Sequence, residues 1–339
     1  RDLSPEEVRL NLDAGIPYVI RQKMPLNGVT SYTDSVFGEI SMNNSELQDQ
    51  ILIKADGYPT YNFAHVIDDY LMGVTHVVRG SEYLTSTPKY VLLYDAFGWE
   101  RPVYVHLPLL MGKNPDGSVS KLSKRHGAVS FQDLLNDGYL PEAIVNYIAL
   151  LGWCPKNSET EFFTLKELTD AFTIDGVSKS PAVFDFEKLL WFNGEYIHRL
   201  TDEEFETSAG KFMKAELPAT LNRKKMLSLI KTRISKLSEI DERIAFFAAL
   251  PDFDTELFLN KKNKITDFGT VRTVLAEALN VLRGTDSFDN DTLYAALLPI
   301  AGKLGLKTGA VMWCVRIAVS GMAATPGGAT EIMEVIGKN

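Results

Sequence analysis

The stretch YNFAHVIDDYLMGVTHVVRG, residues 61–80, changes character halfway along. Its first part, residues 61–72, spaces apolar side chains as a helix does, and Gly73 ends that run. The second part, THVVR at residues 75–79, is a short apolar, β-branched strand ending on Arg79. The same pair of signals follows at once, with helical spacing over residues 87–97 and a second strand, PVYVHLP, at residues 102–108. Strands alternating with helices predict a parallel sheet with helices packed on it. Ligands of such sheets sit outside the carboxyl ends of the strands. Arg79 and the loop after Leu110 fall at those ends.

On either side the pattern differs. Upstream, SPEEVRLNL at residues 4–12 reads as a short helix, with Ser4 at its cap and Pro5 at its first position. Four β-type runs follow, at residues 17–24, 28–33, 36–41 and 51–55, separated by Gly, Asn and Asp turn signals, so this piece is predicted to be mostly antiparallel β. Downstream of Pro141 the spacing is helical in EAIVNYIALL (residues 142–151), in FDFEKLLWF (residues 184–192) and in a series from Asp202 onward. That half is expected to be an all-helical module of two subdomains joined near Leu200. The fold class expected is therefore α/β plus all-α.

Composition sets the frame. With 339 residues, 45% of them apolar, the chain exceeds what one core usually serves, so two or more domains are expected. Cys154 and Cys314 are too few for a disulfide framework and too far apart to read as a zinc pair, which fits a reducing, cytoplasmic setting. No apolar run approaches the roughly 20 residues that span a bilayer. The sequence opens on Arg1 without a Met and stops at IGKN, which we read as a fragment of a longer chain.

Against a formal net charge of −9, SKLSKRHG at residues 120–127 gathers Lys121, Lys124 and Arg125. It follows LLMGKNPDGSVS, residues 109–120, whose Gly112, Asn114, Pro115 and Gly117 predict a mobile loop. Two ammoniums three residues apart on such a loop can face one polyanion and close after it binds. Triphosphate chemistry needs this, because a fixed cation stabilises a pyrophosphate leaving group as its charge develops. The alternative from charge alone is a solvated basic turn.

The surrounding residues decide between these. KLSKR resembles the second signature loop, K-[MLI]-S-K-[SR], of class I aminoacyl-tRNA synthetases. DGYPTYNF (residues 56–63), VIDDYLMGVTHVVRG (66–80), STP (86–88), DGYLPEAI (137–144), LGW (151–153) and VSKSPAVFDFEKLLWFNGEYI (177–197) resemble the bacterial glutamyl-tRNA synthetase family. The resemblance implies an incomplete class I synthetase Rossmann-like nucleotide-binding domain, then a stem-contact region, then a helical anticodon-binding bundle. It divides the chain into a remainder of the acceptor-arm insertion (1–50), the second half of the catalytic fold (51–140), the stem-contact region (141–200) and the anticodon-binding domain (201–339). The His-x-Gly-His signature of class I enzymes is absent: His65, His76, His106, His126 and His198 lack that spacing. A nucleotide-binding sheet without its first strands is expected to expose an edge and an apolar face.

The resemblance also implies roles for particular residues. Lys124, with Lys121, Ser123 and Arg125 beside it, is assigned to ATP and catalysis. Glu82 is implied near the ribose and Leu110 near adenine, while Ser81 stands where relatives often carry an acid. Tyr61, Arg79 and, one helical turn after Tyr61, His65 match positions lining the amino-acid pocket. An Arg fork and a Tyr hydroxyl suit a dicarboxylic substrate. The competing readings are an ion pair of Arg79 with Asp68 or Asp69 and a half-buried core role for Tyr61. Six cations, Arg223, Lys224, Lys225, Lys231, Arg233 and Lys236, occur with no acid between residues 221 and 236, and are candidates for following an RNA backbone. The expected substrates and partners are glutamate, ATP with Mg2+, and tRNA(Glu), with no protein-bound zinc, no membrane and a monomeric chain. The intact enzyme is expected to be a ligase and this fragment alone to be inactive; the alternative is that this chain alone is a tRNA-binding module. The helical second half argues against the glutaminyl relatives, which end in β-barrels.

Overall fold

The computed structural model describes residues 1–127, 130–155 and 160–338, with only the backbone of Lys124. The strands among them are β1 (Ile20–Arg21), β2 (Val29–Asp34), β3 (Gly38–Asn43), β4 (Ile51–Ile53), β5 (His76–Gly80), β6 (Val103–Leu107), β7 (Leu110–Lys113), β8 (Val119–Lys121) and β9 (Ala182–Phe184). The helices are α1 (Pro5–Asp13), α2 (Tyr61–Leu71), α3 (Thr87–Phe97), α4 (Phe131–Asn136), α5 (Pro141–Leu150), α6 (Leu165–Ala171), α7 (Phe186–Arg199), α8 (Asp202–Ala209), α9 (Arg223–Lys231), α10 (Ile240–Ala248), α11 (Phe268–Arg283), α12 (Asn290–Leu304), α13 (Thr308–Ser320) and α14 (Ala329–Ile336). They form two compact units, residues 1–127 with 146–185 and residues 128–145 with 186–339.

In the first unit a four-stranded sheet runs in the order β3-β2-β6-β5. β5 and β6 are parallel from His76↔Val103 to Gly80↔Leu107, while β2 joins β6 in parallel at Asp34↔Tyr104 and pairs with β3 as an antiparallel hairpin. The β2–β3 turn is shaped by Asp34, whose Oδ1 accepts the N–H groups of Val36 and Phe37 at 2.9 Å each, and by Gly38 at φ 85°. The strands that the sequence separated as an antiparallel piece thus continue into the parallel sheet. Helix α3, started by Pro88 in its first turn and stopped by Gly98 at φ 68°, covers one face. Tyr32, Val77, Val91 and Tyr104 pack together there, and Val66, Tyr90, Leu93 and Tyr94 form a neighbouring cluster with α2. Val78, Val103 and Leu107 remain exposed, and β5 stands at an edge of this sheet.

One expectation is corrected. The segment after Leu109 is no open loop: β7 and β8 form a hairpin closed by a turn over Asn114–Ser118, and β9 adds to β7 in parallel. Phe184, read as the first residue of a helical run over residues 184–192, belongs to that third strand, with α7 beginning at Phe186. The second unit is helical around two cores; residues 146–185, read with the helical half, belong to the first unit, and one core spans Leu200, where two subdomains were expected to join. Phe205, Met226, Ile230, Ile240 and Ile244 centre one, and Val274, Leu293, Leu297, Val311 and Cys314 centre the other. Among the described residues no helix is long and apolar enough to cross a membrane.

Candidate active site

Arg79 leaves β5 one residue before its end, and the turn that follows it brings Tyr83 back over its guanidinium, 5.0 Å from the ring centre. Tyr90, from α3, lies on the same guanidinium at 5.4 Å. Helix α2 supplies the remaining wall, since Tyr61 and His65 stand one turn apart and their rings lie 5.0 Å from each other. Tyr61 reaches to 6.3 Å from Tyr83, and His65 meets Tyr90 edge-on at 4.4 Å. The O–H of Tyr90 donates to Asn62 Oδ1 at 2.8 Å.

Two buried polar atoms of this aromatic box, Nη1 of Arg79 and Nε2 of His65, have no hydrogen-bond partner among the described residues. Arg79 makes no ion pair with Asp68 or Asp69; Asp69 Oδ2 lies instead 3.3 Å from Nδ1 of His65. Burial pushes the His65 imidazole below its ordinary value, against the opposing hydrogen bond to Asp69. Burial also raises the phenols, Tyr61 upward and Tyr90 to about 12, so both stay neutral donors. Tyr61 is 59% exposed, which puts it at the mouth of the box and not in a core. A half-buried guanidinium with one buried, unpartnered nitrogen, flanked by neutral rings, suits an anion of planar geometry.

The basic loop is anchored to the β7–β8 hairpin. The Leu110 carbonyl accepts the N–H of Leu122 at 2.9 Å. His126, which the sequence reading passed over, accepts the Ser123 N–H on Nδ1 at 3.1 Å, leaving Nε2 to donate to Asn114 Oδ1 at 3.0 Å. Its ring lies so close to Gly112 that a Cβ there would come within 2.5 Å, which explains the glycine. Lys121 pairs with Glu82 at 2.7 Å, joining the loop to the turn after β5, and the Glu82 carboxyl is lowered first by that hydrogen bond. Arg125 is exposed and has no charged partner among the described residues. The side chain of Lys124 lies outside the described residues.

In the second unit the six candidate cations are not a free basic surface. Arg223 pairs with Glu206 at 2.9 Å, Lys225 with Glu334 at 2.9 Å and Lys236 with Asp137 at 3.0 Å. Lys231 donates to the carbonyl of Leu200 and lies 3.3 Å from Asp202. Lys224 and Arg233 alone of the six are exposed with no ion pair among the described residues. The sequence found no acid within the run; the fold brings acids from four other places.

Two family matches divide the chain. Residues 1–191 match the family described as "tRNA synthetases class I (E and Q), catalytic domain", and residues 195–339 match an "Anticodon binding domain". The glutamate–tRNA ligase of Clostridium tetani is 50% identical over 99% of this chain and 68% of its own length, and that of Clostridium kluyveri 49% identical over the same shares. A solved glutamate tRNA ligase from Elizabethkingia meningosepticum, in complex with its amino acid, superposes with a TM-score of 0.86 at 32% identity, covering 99% of this chain and 69% of that one.

Proposed function

The chain belongs to the class I tRNA synthetases, and from that premise we propose that the Arg79 box takes glutamate and the loop from Lys121 to Arg125 takes the phosphates of ATP. Its activity is that of its relatives, a glutamate–tRNA ligase. In that reaction a carboxylate oxygen of glutamate attacks the α-phosphorus of ATP and displaces pyrophosphate, and a hydroxyl at the 3′ end of tRNA then loses its proton and takes the glutamyl group from the adenylate, releasing AMP. Arg79 holds a carboxylate of the amino acid through its unpartnered N–H, with Tyr61 donating at the mouth and the lone pair of His65 Nε2 facing the ligand. Lys124, with Lys121, Ser123 and Arg125, stabilises the departing pyrophosphate. Lys121 must then exchange Glu82 for phosphate, which frees the Glu82 carboxylate for a ribose hydroxyl. Leu110 contributes main-chain contact to adenine. Mg2+ enters on the triphosphate, as it usually binds through substrate phosphates.

The observation that carries this reading is the buried, unpaired Nη1 of Arg79 between two tyrosine rings. A cation left so in a folded protein is costly unless a ligand completes it. The acceptor-arm, catalytic and stem-contact assignments for residues 1–50, 51–140 and 141–200 belong to the same proposal, as do the anticodon-domain boundary at residue 201, tRNA contact by Lys224 and Arg233, a monomeric state and a cytoplasmic location. The test is glutamate- and ATP-dependent charging of tRNA(Glu) by this chain. Formation of glutamyl-tRNA supports the reading. Binding of tRNA without charging leaves the chain a binding module.

A further inference from the structure

Behind the Arg79 box runs a buried line of polar groups that the reaction above does not use. His106 on β6 and Thr87 at the start of α3 are 0% exposed, and Asp34 at the end of β2 is 2% exposed. Nδ1 of His106 lies 2.6 Å from Asp34 Oδ2, and the His106 backbone N–H donates to the same oxygen at 3.1 Å. The other oxygen, Oδ1, accepts the N–H groups of Val36 and Phe37. With four hydrogen-bond contacts converging on one carboxyl, a proton on it would oppose one of them, so Asp34 is a carboxylate and His106 Nδ1 carries a hydrogen.

The other ring nitrogen faces Thr87, whose Oγ1 is 3.3 Å away. The same hydroxyl lies 2.8 Å from the carbonyl of Tyr83, and a carbonyl has no hydrogen to offer. The single Thr87 hydrogen goes to the shorter contact, leaving only a lone pair toward His106. A hydrogen on Nε2 would complete that contact. We propose that His106 is held as an imidazolium between Asp34 and Thr87 and is a positioning residue for the Arg79 box. This deepens the reading of the box as the amino-acid site and rests on it.

The connection is short. Thr87 ties the Tyr83 carbonyl to the first turn of α3, so the hydrogen bond from His106 sets both the turn that lays Tyr83 on Arg79 and the helix that brings Tyr90 there, three residues later. Arg79 and His106 are also register partners on β5 and β6. A buried imidazolium needs a hydrogen-bonded carboxylate to be tolerated, and Asp34 is that group. The other titratable groups facing this line are Tyr32 from β2, its ring 6.4 Å from His106, with Arg79 from β5 and Glu82 from the turn. The Tyr32 O–H donates to the Leu84 carbonyl at 3.0 Å, and the Tyr32 oxygen also meets the Thr87 hydroxyl.

Nitrogen-15 NMR of the imidazole rings in the full chain tests the proposal near neutral pH. Two protonated ring nitrogens on His106 are expected; a bare, pyridine-type Nε2 overturns it. Thr87→Val keeps the shape of the residue and removes the hydroxyl. It should shift the Arg79 guanidinium resonances, through the displaced Tyr83 ring, and weaken glutamate binding about fivefold to tenfold, as for one lost hydrogen bond. Thr87→Ser should restore both. Unmoved Arg79 resonances in Thr87→Val would overturn the positioning role. The two readings separate cleanly: a chain that binds no glutamate refutes the assignment of the box, whereas the ring nitrogens and the Arg79 resonances report on His106 without ligand.

Discussion

Arg79 and the cations around α9 (Arg223–Lys231) carry the same charge in opposite circumstances. Arg79 is partly buried between Tyr83 and Tyr90 with one N–H unpaired, although Asp68 and Asp69 are near in sequence. Arg223, Lys225, Lys231 and Lys236 lie in a stretch without acids, and each has an acidic partner in the fold. Local charge density therefore misjudges both places. What makes a cation available to a ligand is whether the fold has already answered it. Asp69 lies against His65 and makes no ion pair with Arg79; Glu206, Glu334, Asp202 and Asp137 come from elsewhere to the basic run.

The largest effect that would test this contrast is at Arg79. Arg79→Ala should cost about 3 kcal/mol of glutamate affinity, measured by titration calorimetry, because a charged partner is lost from a desolvated site. Arg79→Lys should recover little of it, since a point charge does not reproduce the planar fork. Near-normal affinity in either variant would place the amino acid elsewhere. Next in size, Lys124→Ala should slow ATP-dependent activation about a hundredfold, read by pyrophosphate exchange, with tRNA affinity unchanged. An unchanged exchange rate would remove Lys124 from the chemistry.

The second unit offers a sharper division. Lys231→Met should lower stability by about 1–2 kcal/mol in urea unfolding, because the Leu200 carbonyl and Asp202 lose their donor. Replacing Lys224 and Arg233 by Glu should leave stability within about 0.5 kcal/mol and reduce the salt dependence of tRNA binding by roughly one in slope per residue. If the paired and unpaired cations changed the salt slope alike, pairing would not be what selects them.

The smallest effect is the pH dependence from His65. Its folded-state pKa is lowered by burial, so below the ordinary imidazole value of about 6.5 the unfolded chain binds the proton first. Its contribution to stability is complete above that value, falls as the pH drops toward the lower folded pKa, and then levels. His65→Gln should flatten this part of a stability–pH profile measured by thermal unfolding. A wild-type profile already flat between pH 5 and about 6.5 would show His65 to be solvated.

Much of the fold was legible because its signals are local. The helix read at residues 61–72 is found at Tyr61–Leu71, and the strand read at residues 75–79 is found at His76–Gly80. The β7–β8 hairpin was not legible, since Gly112, Asn114, Pro115 and Gly117 dominate its signal and its strands are only four and three residues long. They hold through β9, some 70 residues on, and through His126. Of the candidate site, Arg79, Tyr61 and His65 were placed by the family resemblance. Tyr83, Tyr90, Asp34 and His106 were missed, because Asp34 reads as turn punctuation and His106 as one residue of an apolar strand.

The sequence by itself determined the alternation of strands and helices up to β6, the mainly helical character of the second half, and the family to which the chain belongs. Period, turn chemistry and signature motifs reside in neighbouring residues, so no folding is needed to read them. Only the tertiary structure decided which charges are answered. The partners of Lys225, Lys236 and His106 stand 109, 99 and 72 residues away along the chain, and a hydrogen bond or an ion pair depends on distance in space, where separation along the sequence carries no force.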